Sequence, residues 1–241
     1  MAAVAFLTRF PVGRMIVCDS TDVARSAVWF PLIGIFLGVI YYFAAATLRM
    51  HLPLAVVSIV LVILDGIVTG ALHFDGLADT ADGFGGGKNS EDILRIMRDH
   101  AIGSYGAFAL ASAIVLKVTV YAVLLDRSNW VVALILTPAM GRWAILLLTA
   151  TLPYARQSRS VTEGMGKGAL VWGTVLMLLT LTASKSLRAW IALVVIVTVT
   201  AVFGLYCRRR IGGITGDTLG ANLELCECAA VLTFLWTGLP Q

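Results

Sequence analysis

Long apolar runs separated by short charged stretches dominate the chain. With about 17–25 apolar residues taken as one crossing of a bilayer, candidate spans fall at 27–48, 52–72, 106–125, 130–151, 168–184, 189–207 and 219–239. That is seven. The fifth, GALVWGTVLMLLTLTAS, has only the lower end of the useful length, and is expected to be tilted, short or partly interfacial. The pattern changes after the second run, where NSEDILRIMRDHAIGSYG reads as a short amphipathic helix. Asn89 or Ser90 would cap it, Glu91 and Asp92 would occupy its first turn, and Ile93, Ile96 and Met97 would form an apolar stripe expected to lie along the membrane surface. The expected fold class is an all-α integral membrane protein of about seven transmembrane helices, with this cytoplasmic amphipathic helix after the second span. It forms a single polytopic domain over residues 1–241.

Composition supports that reading. The chain is 59% hydrophobic and only 13% charged, against about 45–50% and 25% for soluble domains. The apolar part of the N-terminus is too short for a cleavable signal, so the first span is expected to target the chain. Basic residues set the orientation. With the N-terminus inside, the inner segments hold Arg9, Arg14, Arg25, Lys88, Arg95, Arg98, Arg156, Arg159, Lys167, Arg208, Arg209 and Arg210, against Arg49, Arg127, Lys185 and Arg188 outside. The net charge of +4 is thus accounted for by topology in a lipid bilayer, and no nucleic-acid partner is expected. Cys18, Cys207, Cys226 and Cys228 lack paired metal spacing and read as small apolar fillers. The inner connections are the longer ones, which places function on the cytoplasmic face.

Candidate chemistry concentrates in HFDGLADTADGFGGG. Asp75, Asp79 and Asp82 stand at i, i+4 and i+7, within about a 60° wedge of one helix face. Three adjacent carboxylates repel one another, and their natural companion is a divalent cation such as Mg²⁺ or Mn²⁺ clamping a diphosphate. A solvated helix face is the bland alternative, weakened by neighbours that are Gly76, Leu77, Ala78 and Ala81 rather than Lys and Arg. Gly83, Gly85, Gly86 and Gly87, followed by Lys88, can form either a phosphate cradle or a plain hinge. Arg95 and Arg98 can meet phosphate oxygens or lipid headgroups; Asp99 is either a further metal ligand or an intrahelical partner of Arg95. Asp217, in GITGDTLGA at a helix mouth, is expected on the same side as the first acidic cluster. Arg9, in FLTRFPV, contacts either a substrate anion or lipid. Asp65, Lys117, Arg142, Glu224 and Glu227 fall within apolar runs, where charge is costly and marks either function or structural pairing. His73 lies opposite the aspartate wedge in a continuous helix; a role as base or ligand requires the helix to break there.

The ordered motifs FLTRFPV, HFDGLADTADGFGGG, ILRIMRDHAIGSYGAFAL and GDTLGA, from about residue 6 to residue 221, resemble the adenosylcobinamide-GDP ribazoletransferase (cobalamin synthase) family. Phe74, His100 and Ala101 depart from its usual pattern without touching a carboxylate. The resemblance implies Mg²⁺-dependent joining of adenosylcobinamide-GDP to α-ribazole or its 5′-phosphate with release of GMP, in the bacterial cytoplasmic (inner) membrane with the active site facing the cytoplasm. It implies Asp75, Asp79 and Asp82 on Mg²⁺, with Asp99 and Asp217 completing or orienting the metal shell. Asp82 or His73 would take the hydroxyl proton, and Arg9, Lys88 and Arg98 would neutralise phosphate oxygens. A homo-oligomer is compatible with the sequence. The spacing also has something of CDP-alcohol phosphotransferases, although Asp79 stands where their DGxxAR arginine would be. A secondary transporter would explain the buried charges but not the acids crowded on one rim.

Overall fold

Apolar runs in lipid must satisfy every backbone N–H and C=O internally, and the helix does so within one segment. The computed structural model describes residues 1–10, 20–156, 167–236 and 238. Arg14, Cys18 and Arg159, and Pro11 of the first motif, lie outside the described residues. The helices are α1 (Ala2–Leu7), α2 (Ser20–Ser26), α3 (Phe30–Leu48), α4 (Leu54–Thr69), α5 (Leu72–Gly86), α6 (Ser90–Ile96), α7 (Ser104–Leu124), α8 (Trp130–Thr151), α9 (Lys167–Ser184), α10 (Leu187–Ile211) and α11 (Gly216–Leu235). Six helical segments are long and apolar enough to cross a bilayer, and a seventh crossing exists if the bent pair α4–α5 counts as one. The weak fifth run forms α9 with 18 residues, about 27 Å long at 1.5 Å per residue.

The second run, expected to span over 52–72, ends as α4 at Thr69, and of the two alternatives left open at His73 the structure has the break. The helix breaks between α4 and α5 with a bend of 91°. Gly70 (φ 67°) and Ala71 (φ 57°) are both left-handed, which glycine adopts freely and alanine only at a cost of about 1–2 kcal/mol. The amide of Ala71 donates to the carbonyl of Gly66 at 2.7 Å, closing the end of α4. The N-terminal segment braces the break: the Arg9 amide donates to the Val68 carbonyl at 2.7 Å, and the Arg9 side chain lies directly over Gly70.

Contacts fix which helix ends lie together. Arg49 stacks over the Trp130 ring, while Asn129 and Arg188 both donate to the carbonyl of Phe234. The end of α3, the starts of α8 and α10 and the end of α11 therefore share one side. At the other, Asp82 meets Gly103 and Gly76 meets Asp217. The chain passes from one end of the bundle to the other between Leu48 and Ser104, which makes the bent pair α4–α5 the candidate for a seventh crossing among the described residues.

Helices α8 and α11 form the inner pair, buried along most of their length. Gly34 and Gly38 of α3 lie directly on the backbone of α8 at Leu134, Ile135, Pro138 and Ala139, so no side chain separates these two helices. Outward faces carry Phe36, Phe43, Phe108, Val171 and Val194, the apolar surface that acyl chains solvate. Of the expected stripe, Ile93 and Met97 are buried together with Ile211 of α10, close against Gly83 and Gly87, while Ile96 is half-buried. Asn89 caps it, accepting from the Asp92 amide at 2.9 Å. Cys207, Cys226 and Cys228 are buried thiols.

Candidate active site

The acidic helix α5 meets the first turns of α11 through two glycines. A Cβ on Gly76 would lie 2.7 Å from the Asp217 carbonyl oxygen, and one on Gly220 would lie 3.2 Å from the Cα of His73. This contact brings Asp75 and Asp217 into one cleft, lined also by Phe6, Leu72, His73, Ile145, Tyr154 and Leu219. Asp75 is exposed, and Asp79 and Asp217 are half-buried. The charges of Asp75, then Asp217, then Asp82 act on Asp79. The start of α11 is rigid, because Thr215 and Thr218 form a reciprocal capping box.

Arg156, whose place the charge pattern assigned to topology, stands at this cleft. Its Nη2 is 2.6 Å from Asp217 Oδ2. The segment before it is pinned to the loop before α11: Ala155 N–H donates to the Ile214 carbonyl at 2.8 Å, and Ile214 N–H to the Pro153 carbonyl at 2.9 Å. Nothing local in YAR announces this pairing, since it depends on two loops meeting.

Asp82 has a different environment from its two helix mates. It is buried, and its Oδ2 accepts from Gly103 N–H at 2.7 Å while Oδ1 accepts from Gly106 N–H at 2.8 Å. It thereby caps the N-terminus of α7 from another helix, where Gly103 as N-cap residue offers no side chain of its own. A helix opening on glycine, with no Ser, Thr, Asp or Asn in that position, is the sequence signal for such an outside acceptor.

Arg9, Lys88, Arg98 and Asp99 do not line the cleft. Arg9 lies over the helix break; Lys88, Arg98 and Asp99 are exposed beyond the far end of α5, and Asp99 accepts from the Ala101 amide at 3.1 Å. Arg95 pairs with Asp92 rather than Asp99. The glycine turn is clasped by Arg210, which donates to the carbonyls of Phe84 and Gly87 at 3.2 and 3.0 Å. His73 is buried in the cleft wall, and its Nε2 has no hydrogen-bond partner among the described residues.

The intramembrane charges form one network around Lys117. Its ammonium is 2.6 Å from Glu224, 2.8 Å from Glu227 and 3.6 Å from Asp65. Arg142 pairs with Glu227, and the Tyr41 hydroxyl donates to Asp65 at 2.6 Å. Oxygens of Asp65, Glu224 and Glu227 lie within 4.8 Å of one another, the spacing of a metal site. The Lys117 ammonium already occupies the place a cation would take. At the rim, by contrast, Asp75, Asp79 and Asp217 are not drawn in to single-ion spacing. Such a donor set of hard oxygens fits Mg²⁺, which keeps several waters and takes one or two carboxylates together with substrate phosphates.

A polytopic membrane protein with an acidic cleft at one end is the class that these features define. More narrowly, the chain belongs to the cobalamin-5-phosphate synthase family (CobS), which it matches over residues 1–235. That membership places it among the transferases of cobalamin biosynthesis. It is 34% identical to an adenosylcobinamide-GDP ribazoletransferase of Clostridium botulinum strain Langeland, over 96% of this chain and 95% of the relative. It is 36% identical to proteins with the same name from Shewanella sp. strain W3-18-1, over 99% and 94%, and Syntrophobacter fumaroxidans, over 93% of each. No solved structure matches the chain.

Proposed function

We propose that the protein joins adenosylcobinamide-GDP to α-ribazole or α-ribazole 5′-phosphate in a Mg²⁺-dependent step at the cytoplasmic face of the bacterial inner membrane. The observation that carries this reading is the gathering of Asp75 and Asp217 in one cleft by the Gly76–Gly220 contact, with Asp79 one turn further along α5 and within reach of both charges. Mg²⁺ held there supplies neutralisation of the donor diphosphate, which phosphoryl transfer needs more than it needs covalent help. The acceptor hydroxyl attacks the cobinamide-linked phosphorus, a phosphodiester forms, and the bond to the GMP phosphate breaks. The proton of that hydroxyl passes to water or a rim carboxylate, because His73 Nε2 is buried away from the cleft opening and stands near the charges of Arg142 and Lys117. Asp82 serves as the cap that fixes α7 against α5, because both of its oxygens are engaged by backbone amides. Lys88 and Arg98 stand where they would meet the outer part of a large donor, and Arg9 stiffens the helix break. The cleft shares its end of the bundle with Lys88, Arg95, Arg98, Arg156 and Arg208 to Arg210, the basic side expected inside. Relatives carrying the ribazoletransferase name support the choice of substrates.

The test is GMP release from membranes supplied with both substrates and Mg²⁺. Asp75→Ala and Asp79→Ala should abolish it where the variant protein accumulates, and chelation should stop the parent enzyme until Mg²⁺ or Mn²⁺ is restored. Near-normal turnover in either variant would rule out the metal role. Release of CMP from a CDP-lipid would favour a phospholipid synthase instead.

A further inference from the structure

Among the described residues the cleft holds Asp75 and Asp217, with Asp79 beside them on α5, and Arg156 is the cation paired there. Both hydrogen bonds on Asp217 fall on Oδ2, from Arg156 Nη2 at 2.6 Å and from Thr215 Oγ1 at 3.3 Å. Arg156 spends little of its donor capacity there. A guanidinium has five N–H groups in a planar fork suited to phosphate, and Nε of Arg156 is buried without a partner among the described residues. The side chain is 14% exposed, against 71% for Arg95, so water satisfies little of it. Its backbone is held by the paired bonds between Pro153–Ala155 and Ile214, and Gly213 lies directly on the Pro153 carbonyl. The head group can therefore turn while its root stays fixed.

We propose that Arg156 has two positions and couples metal to donor. In the free protein it neutralises Asp217 and so competes with a divalent ion for the Oδ2 oxygen. When a nucleoside diphosphate group enters with the ion, the guanidinium turns to the phosphate oxygens and releases Asp217 to the metal. The ion and the diphosphate then bind better together than apart, which keeps the acidic rim from loading with metal alone. The proposal rests on the reading of this rim as the Mg²⁺ site, and its test separates the two.

Mn²⁺ binding to the purified full-length protein, followed by the electron paramagnetic resonance of the free ion, is measured with and without GDP as the diphosphate probe. The wild-type protein should bind Mn²⁺ weakly alone and about tenfold more tightly with GDP, a usual size for coupling between two ligands. Arg156→Gln should bind Mn²⁺ alone more tightly than wild type, because Asp217 is freed, and GDP should no longer tighten it. Arg156→Lys keeps the charge without the fork and should fall between, which serves if the glutamine variant does not accumulate. Wild type that binds no Mn²⁺ under either condition overturns both the metal reading and this one. Wild type that binds Mn²⁺ while both variants match it, with and without GDP, overturns only the role of Arg156. Weaker Mn²⁺ binding in Arg156→Gln alone would make the arginine a structural partner of Asp217 and also overturn the proposal.

Discussion

Gly76→Ala adds one methyl group at the closest approach of α5 to α11, and the structure sets the size of the effect. The new Cβ would lie 2.7 Å from the Asp217 carbonyl oxygen and 3.2 Å from the Cα atoms of Asp217 and Gly220. Ordinary contact begins at 3.4 Å, so the two helices must part by about 0.7 Å, and the obstructing atoms are backbone that cannot rotate away. Overpacking of this kind costs about 1–3 kcal/mol, which a membrane bundle of six or seven spanning helices should survive. The larger consequence is chemical. Asp75 sits next to the added methyl and Asp217 directly opposite, so their separation grows with the helix spacing. A misplacement near 1 Å can cost about 100-fold in rate, so kcat for GMP release should fall by about 10–100-fold. Purified protein in lipid nanodiscs is the assay, with thermal unfolding measured on the same samples. Gly66→Ala is the control, because a Cβ there meets nothing within 4 Å. A folded Gly76→Ala enzyme with kcat within twofold of the parent would refute the idea that this contact sets the rim geometry.

Other perturbations separate structural from chemical roles. Asp82→Asn keeps one acceptor oxygen for two amides, and should lower stability by about 1–3 kcal/mol with Mn²⁺ affinity unchanged; loss of Mn²⁺ binding in a variant of normal thermal stability would make Asp82 a ligand after all. Lys117→Met leaves Asp65, Glu224 and Glu227 facing one another, at a cost of about 3–5 kcal/mol for an uncompensated buried charge, and should show as loss of accumulated protein on immunoblots. Full accumulation would show that the network is not held by its lysine. Gly34→Ala places a methyl on the α8 backbone, and should lower the unfolding temperature more than the Gly66→Ala control does. An equal shift in the two would show that α3 and α8 have room to spare.

The apolar runs were readable because lipid imposes a length and an apolar surface on each crossing, and α8 occupies the same residues, 130–151, that its run marks out. The break at Gly70–Ala71 was legible only as one of two alternatives at the end of the second run, since Gly70 advertises a left-handed residue and Ala71 does not. Spacing correctly put three aspartates on one helix face, yet spacing cannot tell an exposed carboxylate from a capping one. Asp75 and Asp82 differ in which helix meets them, α11 at the cleft for the first and α7 for the second. Arg156 and Arg210 read as topology because a basic residue at a helix end satisfies the positive-inside pattern whether or not it also grips a carboxylate or a carbonyl. The glycines at 76 and 220 each look like weak points in a helix, and their meaning emerges only when the two helices cross.

The lysine-centred network also has an order of assembly. Ribosomes deliver α7, with Lys117, long before α11 brings Glu224 and Glu227, and a lone charge at mid-helix costs about 2.5–3.5 kcal/mol to insert. Until then Asp65 on the preceding hairpin is the counterion within reach. Helix α11 is thus the one that locks the nascent bundle, and a chain truncated before it would leave Lys117 and Arg142 to share Asp65 in place of the two glutamates.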